Sequence, residues 1–211
     1  MTAPPLPLFP DERLSARVAR LASRHAGRFS VETVRLLLTD FDRRLAEQSR
    51  IRTHLVVLSE RLVGERLDAL ARVEGAQGGG PPRVLFVCSL NARRSQMAAA
   101  LLAHRAGDRV TVSSAGTTPA SEVERGVAQA LVEAGVDLAD AYPKPLTDEV
   151  VQAADIVITI GCGNACPVVA GRRYLDWPVP DPDGAPIAVI RAIRDDIDTR
   201  ITALLDTLPG T

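Results

Sequence analysis

A cysteine closes an apolar run, and an arginine and a serine follow it six and seven positions later: Val84 to Ser95 read V-L-F-V-C-S-L-N-A-R-R-S. A C-x5-R-S spacing between a strand pattern and a helix pattern suits a thiol that attacks a tetrahedral oxyanion. The five residues between Cys88 and Arg94 are enough to wrap a loop whose backbone N–H groups face inward. Such a loop, with the N-terminus of the helix that follows it, holds negative charge. Its members are Ser89, Leu90, Asn91, Ala92 and Arg93, and Arg94 adds a planar two-pronged donor. The same positive field favours the Cys88 thiolate, which is the reactive form.

Three further residues could serve that thiol. Asp181 stands in P-V-P-D-P-D-G, where a rigid, proline-flanked loop would hold a general acid at fixed reach. Asp-Pro and Asp-Gly are also ordinary turn pairs, and Asp183 is the weaker candidate because Asp-Gly is the better turn signal. Cys162 and Cys166 lie in G-C-G-N-A-C-P directly after an apolar run. Their spacing and the lack of a neighbouring His or further Cys argue against zinc, so no metal site is expected. If the strands are parallel, both leave the sheet edge that Cys88 leaves, which permits thiol–disulfide chemistry. On spacing alone, a pair of small buried residues is an equal reading. His25, His54 and His104 read as surface or packing residues.

The elements that must position these groups change character at G-A-Q-G-G-G-P-P, residues 75–82. Residues 1–10, apolar and proline-rich, read as a disordered tail. Residues 11–75 read as a three-helix bundle. Apolar residues fall at helical spacing: Leu14, Val18, Leu21 and Ala22, then Val34, Leu37, Leu38, Phe41 and Leu45 behind a Ser30 cap, then Leu55, Leu58, Leu62, Leu67 and Leu70 behind a Thr53 cap. Residues 76–82 read as a linker. Residues 83–211 alternate strand and helix: strands at 84–87, 110–114, 156–160 and 174–177, helices at 95–104, 122–134, 146–154 and 187–208, with Thr147 as a cap for the third. Largely apolar strands alternating with helices predict an α/β fold. It is a four-stranded parallel sheet covered by helices on both faces and preceded by the small bundle.

Composition narrows the function class. Hydrophobic residues make up 46%, the formal net charge is −1 and the pI is near 6.3, so no bulk charge calls for nucleic acid or an anionic membrane. No signal peptide or membrane-spanning run is read, so a cytoplasmic location is expected. In a reducing compartment, three cysteines are expected to be chemical rather than structural.

Residues 83–209 resemble the arsenate reductases of the low-molecular-weight tyrosine phosphatase fold. V-C-S-L-N-A-R-R-S-Q-M-A, S-S-A-G-T, K-P-L-T, I-V-I-T-I-G-C-G-N-A-C-P and D-W-P-V-P-D-P-D-G occur in that family's order. S-Q-M-A after Arg94 resembles the arsenate branch, where phosphatases of the fold usually carry S-P. Residues 12–75, with E-R-L-D-A-L-A-R-V-E-G, resemble a three-helix domain that precedes some members. The resemblance implies that Cys88 attacks arsenate while Arg94 and the loop amides hold its oxygens. Ser95 would donate to the thiolate, Asn91 would shape the loop, and Asp181 would protonate the leaving oxygen. Cys162 would then attack the Cys88–arsenic adduct, releasing arsenite and forming Cys88–Cys162. Cys166 would resolve this as Cys162–Cys166, which thioredoxin reduces.

The chain departs from the family pattern in four places. Leu90 stands where Gly is usual. Arg93 stands where many members have Cys and would add anion affinity. Ala99 stands where some members have a potassium-site Glu, so no such cation is expected. Cys162 and Cys166 are closer together than the usual thioredoxin-coupled pair. G-C-G-x-x-C-P also occurs in relatives that use mycothiol, so an arsenate–mycothiol transferase using Cys88 alone, recycled by a mycoredoxin, is an alternative. A protein tyrosine phosphatase is another. No tightly bound cofactor is expected. A regulatory protein whose bundle binds an unknown partner is the reading from a different class, with Arg43, Arg44, Arg50 and Arg52 as its basic residues.

Overall fold

Ser30 begins a helix as its type predicts: its hydroxyl accepts the Thr33 N–H at 3.1 Å, satisfying one of the donors that a helix start leaves unpaired. That helix belongs to a computed structural model, which describes residues 11–48, 55–75, 80–138, 141–162 and 166–208. The expected tail, the Thr53 cap, His54 and most of the expected linker lie outside those residues. The chain divides into two compact units, Met1–Gly75 and Ala76–Thr211.

The first unit holds α1 (Asp11–Arg24), α2 (Val31–Gln48) and α3 (Leu55–Glu74). Its core is Val18, Leu21, Val34, Leu38, Phe41, Leu62, Val63 and Leu67, all buried and mostly at the positions the helical spacing predicts. A buried ionic cluster lies among them. Arg17, only 1% exposed, donates to both oxygens of Asp42 at 2.9 and 3.0 Å and to the Ser59 hydroxyl. Ser59 in turn donates to Asp42 at 2.5 Å. His25 is buried against Phe29, edge to face at 5.9 Å, which makes it a packing residue as expected.

The second unit is a four-stranded sheet in the order β2-β1-β3-β4, with every pair parallel. Its strands are β1 (Arg83–Cys88), β2 (Thr111–Gly116), β3 (Ile156–Thr159) and β4 (Arg173–Asp176). Its helices are α4 (Arg94–Ala106), α5 (Arg125–Glu133), α6 (Asp148–Ala153) and α7 (Ile187–Leu205), with a 3-10 turn at Gly107–Arg109. The pleat sends alternate side chains to opposite faces. Val84, Phe86 and Cys88 pack with Met97 and Leu101 of α4, Val127 of α5 and Ile197 of α7. Leu85 and Val87 pack with Val151 of α6 and with Cys162 and Cys166. Helices therefore cover both faces, as the apolar strands predict. Thr147 departs from expectation: it occupies the N-cap position of α6 but caps nothing with its side chain, and its Oγ1 is buried without a partner. Two acidic residues in the first turn of α6, Asp148 and Glu149, complement the positive end of that helix instead.

From β1 the chain crosses to one side to make β2 and later to the other side to make β3. The carboxyl end of β1 thus lies where the strand order reverses, the usual ligand crevice of an open parallel sheet. Cys88 is the last residue of β1. Among the described residues, no helix is long and apolar enough to cross a membrane.

The buried ion pair generates a stability prediction. Asp42→Ala removes the carboxylate that Arg17 meets at 2.9 Å, leaving Glu60 at 3.7 Å, and should cost the bundle's unfolding transition up to about 3–5 kcal/mol. The double variant Arg17→Met/Asp42→Leu, which removes both charges, should lose far less. Urea unfolding followed by circular dichroism measures both, and equal losses in the two variants would contradict the account.

Candidate active site

The loop from Ser89 to Arg93 is built by turning its carbonyls outward. The carbonyl oxygens of Cys88, Ser89, Leu90 and Ala92 accept backbone N–H groups of Thr117, Thr118, Ala120 and Glu124 at 2.8–3.3 Å. With those oxygens held by the segment after β2, the loop's own N–H groups are left to the concave side. One of them is already used there: the Asn91 N–H donates to Cys88 Sγ at 3.2 Å. The close approach of the two segments requires Gly116, because a Cβ there would lie 2.8 Å from the Ser89 carbonyl oxygen and 2.9 Å from Asn91.

Asn91 is the one described non-glycine residue with positive φ, at 49°. Asn tolerates this left-handed conformation better than most residues, and its side chain fixes it further. Oδ1 accepts the Lys144 N–H at 2.7 Å and Gln96 Nε2 at 3.1 Å, while Nδ2 donates to Ser95 Oγ at 2.8 Å. Because Asn91 donates to Ser95, the Ser95 hydroxyl is free to donate to Cys88 Sγ, 2.9 Å away. Cys88, Asn91 and Ser95 are 2%, 0% and 0% exposed. The sulfur thus lies within reach of one backbone N–H and one hydroxyl, beside the loop that leads into the next helix.

Arg94, the first residue of α4, is buried, and its guanidinium lies across Gly161. A Cβ at Gly161 would fall 2.1 Å from Arg94 Nη1, so a side chain there would displace the guanidinium. Nη1 donates to the Val179 carbonyl at 3.2 Å and Nη2 to Asp181 Oδ2 at 2.7 Å. Nε is buried with no acceptor, so Arg94 has a donor to offer an oxyanion, and a two-pronged grip that also used Nη2 would draw that nitrogen off Asp181.

Arg93 departs from expectation. Its guanidinium does not add free positive charge to the loop but is committed to three carboxylates. Nε donates to Glu124, Nη1 to Asp181 Oδ1 at 2.9 Å, and Nη2 to Asp183 Oδ1. The physical reason is charge matching: three anionic side chains converge on the one cation that can fork among them.

Cys162 and Cys166 are both buried, on the face of the sheet that holds Leu85 and Val87. Ile160 donates its N–H to the Val87 carbonyl at 2.7 Å, which carries Gly161 and Cys162 out beside the Cys88 end of β1. Burial pushes the Cys162 thiol above its ordinary range, and nearby charge on Cys88 and on Asp176 adds to the shift. Cys166 is pushed up to about 11, mainly by burial and further by the neighbouring Cys162. Cys88, Arg94, Ser95 and Asp181 are thus joined by contacts at the carboxyl end of β1, while Cys162 and Cys166 follow β3 and pack on the opposite face of the sheet from Cys88. The sequence reading overlooked Gly116, Gly161 and Gln96. A glycine placed immediately after each of two strand patterns is the only signal for the first two.

Residues 83–210 match the family described as low molecular weight phosphotyrosine protein phosphatase, and residues 12–71 match the protein-tyrosine-phosphatase-like N-terminal domain. The structure of a thioredoxin-dependent arsenate reductase from Corynebacterium glutamicum is 44% identical, with a TM-score of 0.84 over 93% of this chain and 96% of that one. An arsenate reductase of Halalkalibacterium halodurans is 33% identical over 134 residues, 59% of this chain and 95% of its own length. A protein-arginine-phosphatase of Geobacillus stearothermophilus is 33% identical over 144 residues, 61% of this chain and 97% of its own length. A cysteine–arginine oxyanion loop at the switch point of a four-stranded parallel sheet, with the match over residues 83–210, makes this chain a member of the low molecular weight phosphotyrosine protein phosphatase family.

Proposed function

We propose that the chain reduces arsenate to arsenite with Cys88 as nucleophile and returns to the reduced state through Cys162, Cys166 and thioredoxin. One observation separates this reading from ester hydrolysis by the same fold. Two further thiols, both buried, stand past the end of β3, the strand paired with the one that ends in Cys88. A phosphatase needs only Cys88 and water. The 44% identical thioredoxin-dependent arsenate reductase, aligned over nearly the whole of both chains, supports the same choice.

In this reading the Cys88 thiolate attacks arsenic while the loop N–H groups and Arg94 Nε hold the oxygens. Asp181 gives its proton to the oxygen that leaves as water. The Cys162 thiolate then attacks the Cys88 sulfur. The S–As bond breaks with its electron pair going to arsenic, so As(V) becomes As(III) and arsenite departs. The Cys88–Cys162 disulfide is opened by Cys166, which releases the Cys88 thiolate and forms Cys162–Cys166. A dithiol reductant, thioredoxin, restores both thiols. The raised proton affinities of Cys162 and Cys166 keep the pair protonated at neutral pH, and therefore quiet until the adduct is in place.

Steady-state arsenite production with thioredoxin, its reductase and NADPH tests the reading. Cys88→Ser should lose activity by about a thousandfold or more, the scale for removing a nucleophile. Cys162→Ser and Cys166→Ser should each abolish turnover coupled to thioredoxin. Full activity of Cys162→Ser with mycothiol and mycoredoxin would overturn the three-cysteine route, and aryl phosphate turnover exceeding arsenate reduction would overturn reduction itself.

The pH dependence of alkylation follows from the shift on Cys166. Its pKa is raised, so the neutral thiol persists to higher pH than usual. The rate of iodoacetamide modification should rise about tenfold per pH unit from pH 8 to 10 without levelling, because only the thiolate reacts. A plateau below pH 9 would contradict the placement of Cys166.

A further inference from the structure

The acidic loop at Asp181 is held by a residue that the mechanism has not yet used. Arg93 sends each of its three nitrogens to a different carboxylate: Nε to Glu124, Nη1 to Asp181 and Nη2 to Asp183. Glu124 is itself fixed, since its N–H donates to the Ala92 carbonyl at 3.0 Å. Asp183 is tied to the same group, its N–H donating to Asp181 Oδ1 at 3.3 Å. The guanidinium side chain is 15% exposed, and the carboxylates it joins come from positions 31, 88 and 90 residues away.

Asp181 is shared by two arginines. Oδ2 accepts Arg94 Nη2 at 2.7 Å and Oδ1 accepts Arg93 Nη1 at 2.9 Å. Arg94 also has the buried, unpartnered Nε, so an incoming oxyanion has a reason to draw it off Asp181. Arg93 has no such freedom, because all three of its nitrogens already meet carboxylates.

We propose that Arg93 is a positioning residue that keeps Asp181 at the anion loop after Arg94 turns to the oxyanion. With Oδ1 held by Arg93, Oδ2 is the oxygen of Asp181 left to face the bound oxyanion once Arg94 turns to it. The inference rests on the reading of Asp181 as the proton donor to the leaving oxygen. Lysine at position 93 retains the charge but cannot fork among three carboxylates, so it restores part of the function. Glutamine retains size without charge.

Three measurements on the full-length wild type, Arg93→Lys and Arg93→Gln test this. In Arg93→Gln, kcat for arsenate should fall about tenfold to a hundredfold, the scale for a misplaced catalytic group, with KM changed less than about threefold. Arg93→Lys should recover part of that loss. Protection of Cys88 from iodoacetamide by inorganic phosphate should be unchanged in both variants. Hydrogen exchange at the Asp183 and Ala185 amides, measured without arsenate, should speed up about tenfold or more in Arg93→Gln. Raised exchange beside a wild type that does not reduce arsenate would uphold the clamp and overturn the reductase reading. Loss of phosphate protection with kcat preserved would make Arg93 an anion ligand and overturn the inference. Unchanged exchange and unchanged turnover would overturn it as well.

Discussion

The active end of this protein depends on a single arrangement of backbone. Four carbonyls, from Cys88, Ser89, Leu90 and Ala92, are taken up by the segment Thr117–Glu124, and the Asn91 amide between them reaches the sulfur. Peptide groups are obligatory hydrogen-bonding units, so a loop that turns its N–H groups inward must satisfy its carbonyls somewhere else. The parallel pairing of β1 with β2 does this by delivering Gly116 opposite Cys88 and then running the chain on beside the loop. A side chain at Gly116 would force the two segments apart. Asn91 completes the loop by accepting the strained backbone angle and passing a hydrogen bond through Ser95 to the sulfur.

Charge is distributed around that loop so that each group has something to hold before substrate arrives. Arg94 leans on Asp181 and the Val179 carbonyl and keeps Nε in reserve. Arg93 binds the carboxylates that would otherwise repel an anion. The two downstream thiols are raised by burial, which favours the neutral form. Of the three sulfurs, Cys88 is the one that meets both a backbone N–H and the Ser95 hydroxyl.

Much of this was legible in the chain. The apolar runs at Val84–Val87 and Ile156–Ile160 are strands because they are buried on both faces, and the helical spacing of Val18, Val34, Leu38 and Leu67 marks the bundle core. Cys88, Arg94 and Ser95 could be read because a loop of fixed length joins a strand to a helix. Other features depend on contacts that local sequence does not encode. Arg17 occupies a core position on a helix, yet a charged residue there reads as surface until Asp42 and Ser59 are known to face it. Arg93 reads as an added anion donor from local sequence because its carboxylate partners lie 31, 88 and 90 positions away. Gly161 carries no sign of the guanidinium that lies against it, since Arg94 is on another element. Thr147 has the residue type of a cap and the position of one, but its hydroxyl makes no capping bond.

The account's central claim is that two electrons pass from a pair of protein thiols to arsenic at this loop. Disulfide mapping by mass spectrometry, after one equivalent of arsenate is added to the fully reduced protein with no external reductant, tests that claim most directly. The account predicts one arsenite per protein with a Cys162–Cys166 disulfide in the wild type, and a trapped Cys88–Cys162 disulfide when Cys166 is replaced by Ser. Arsenate left unreduced with all three thiols free would contradict it.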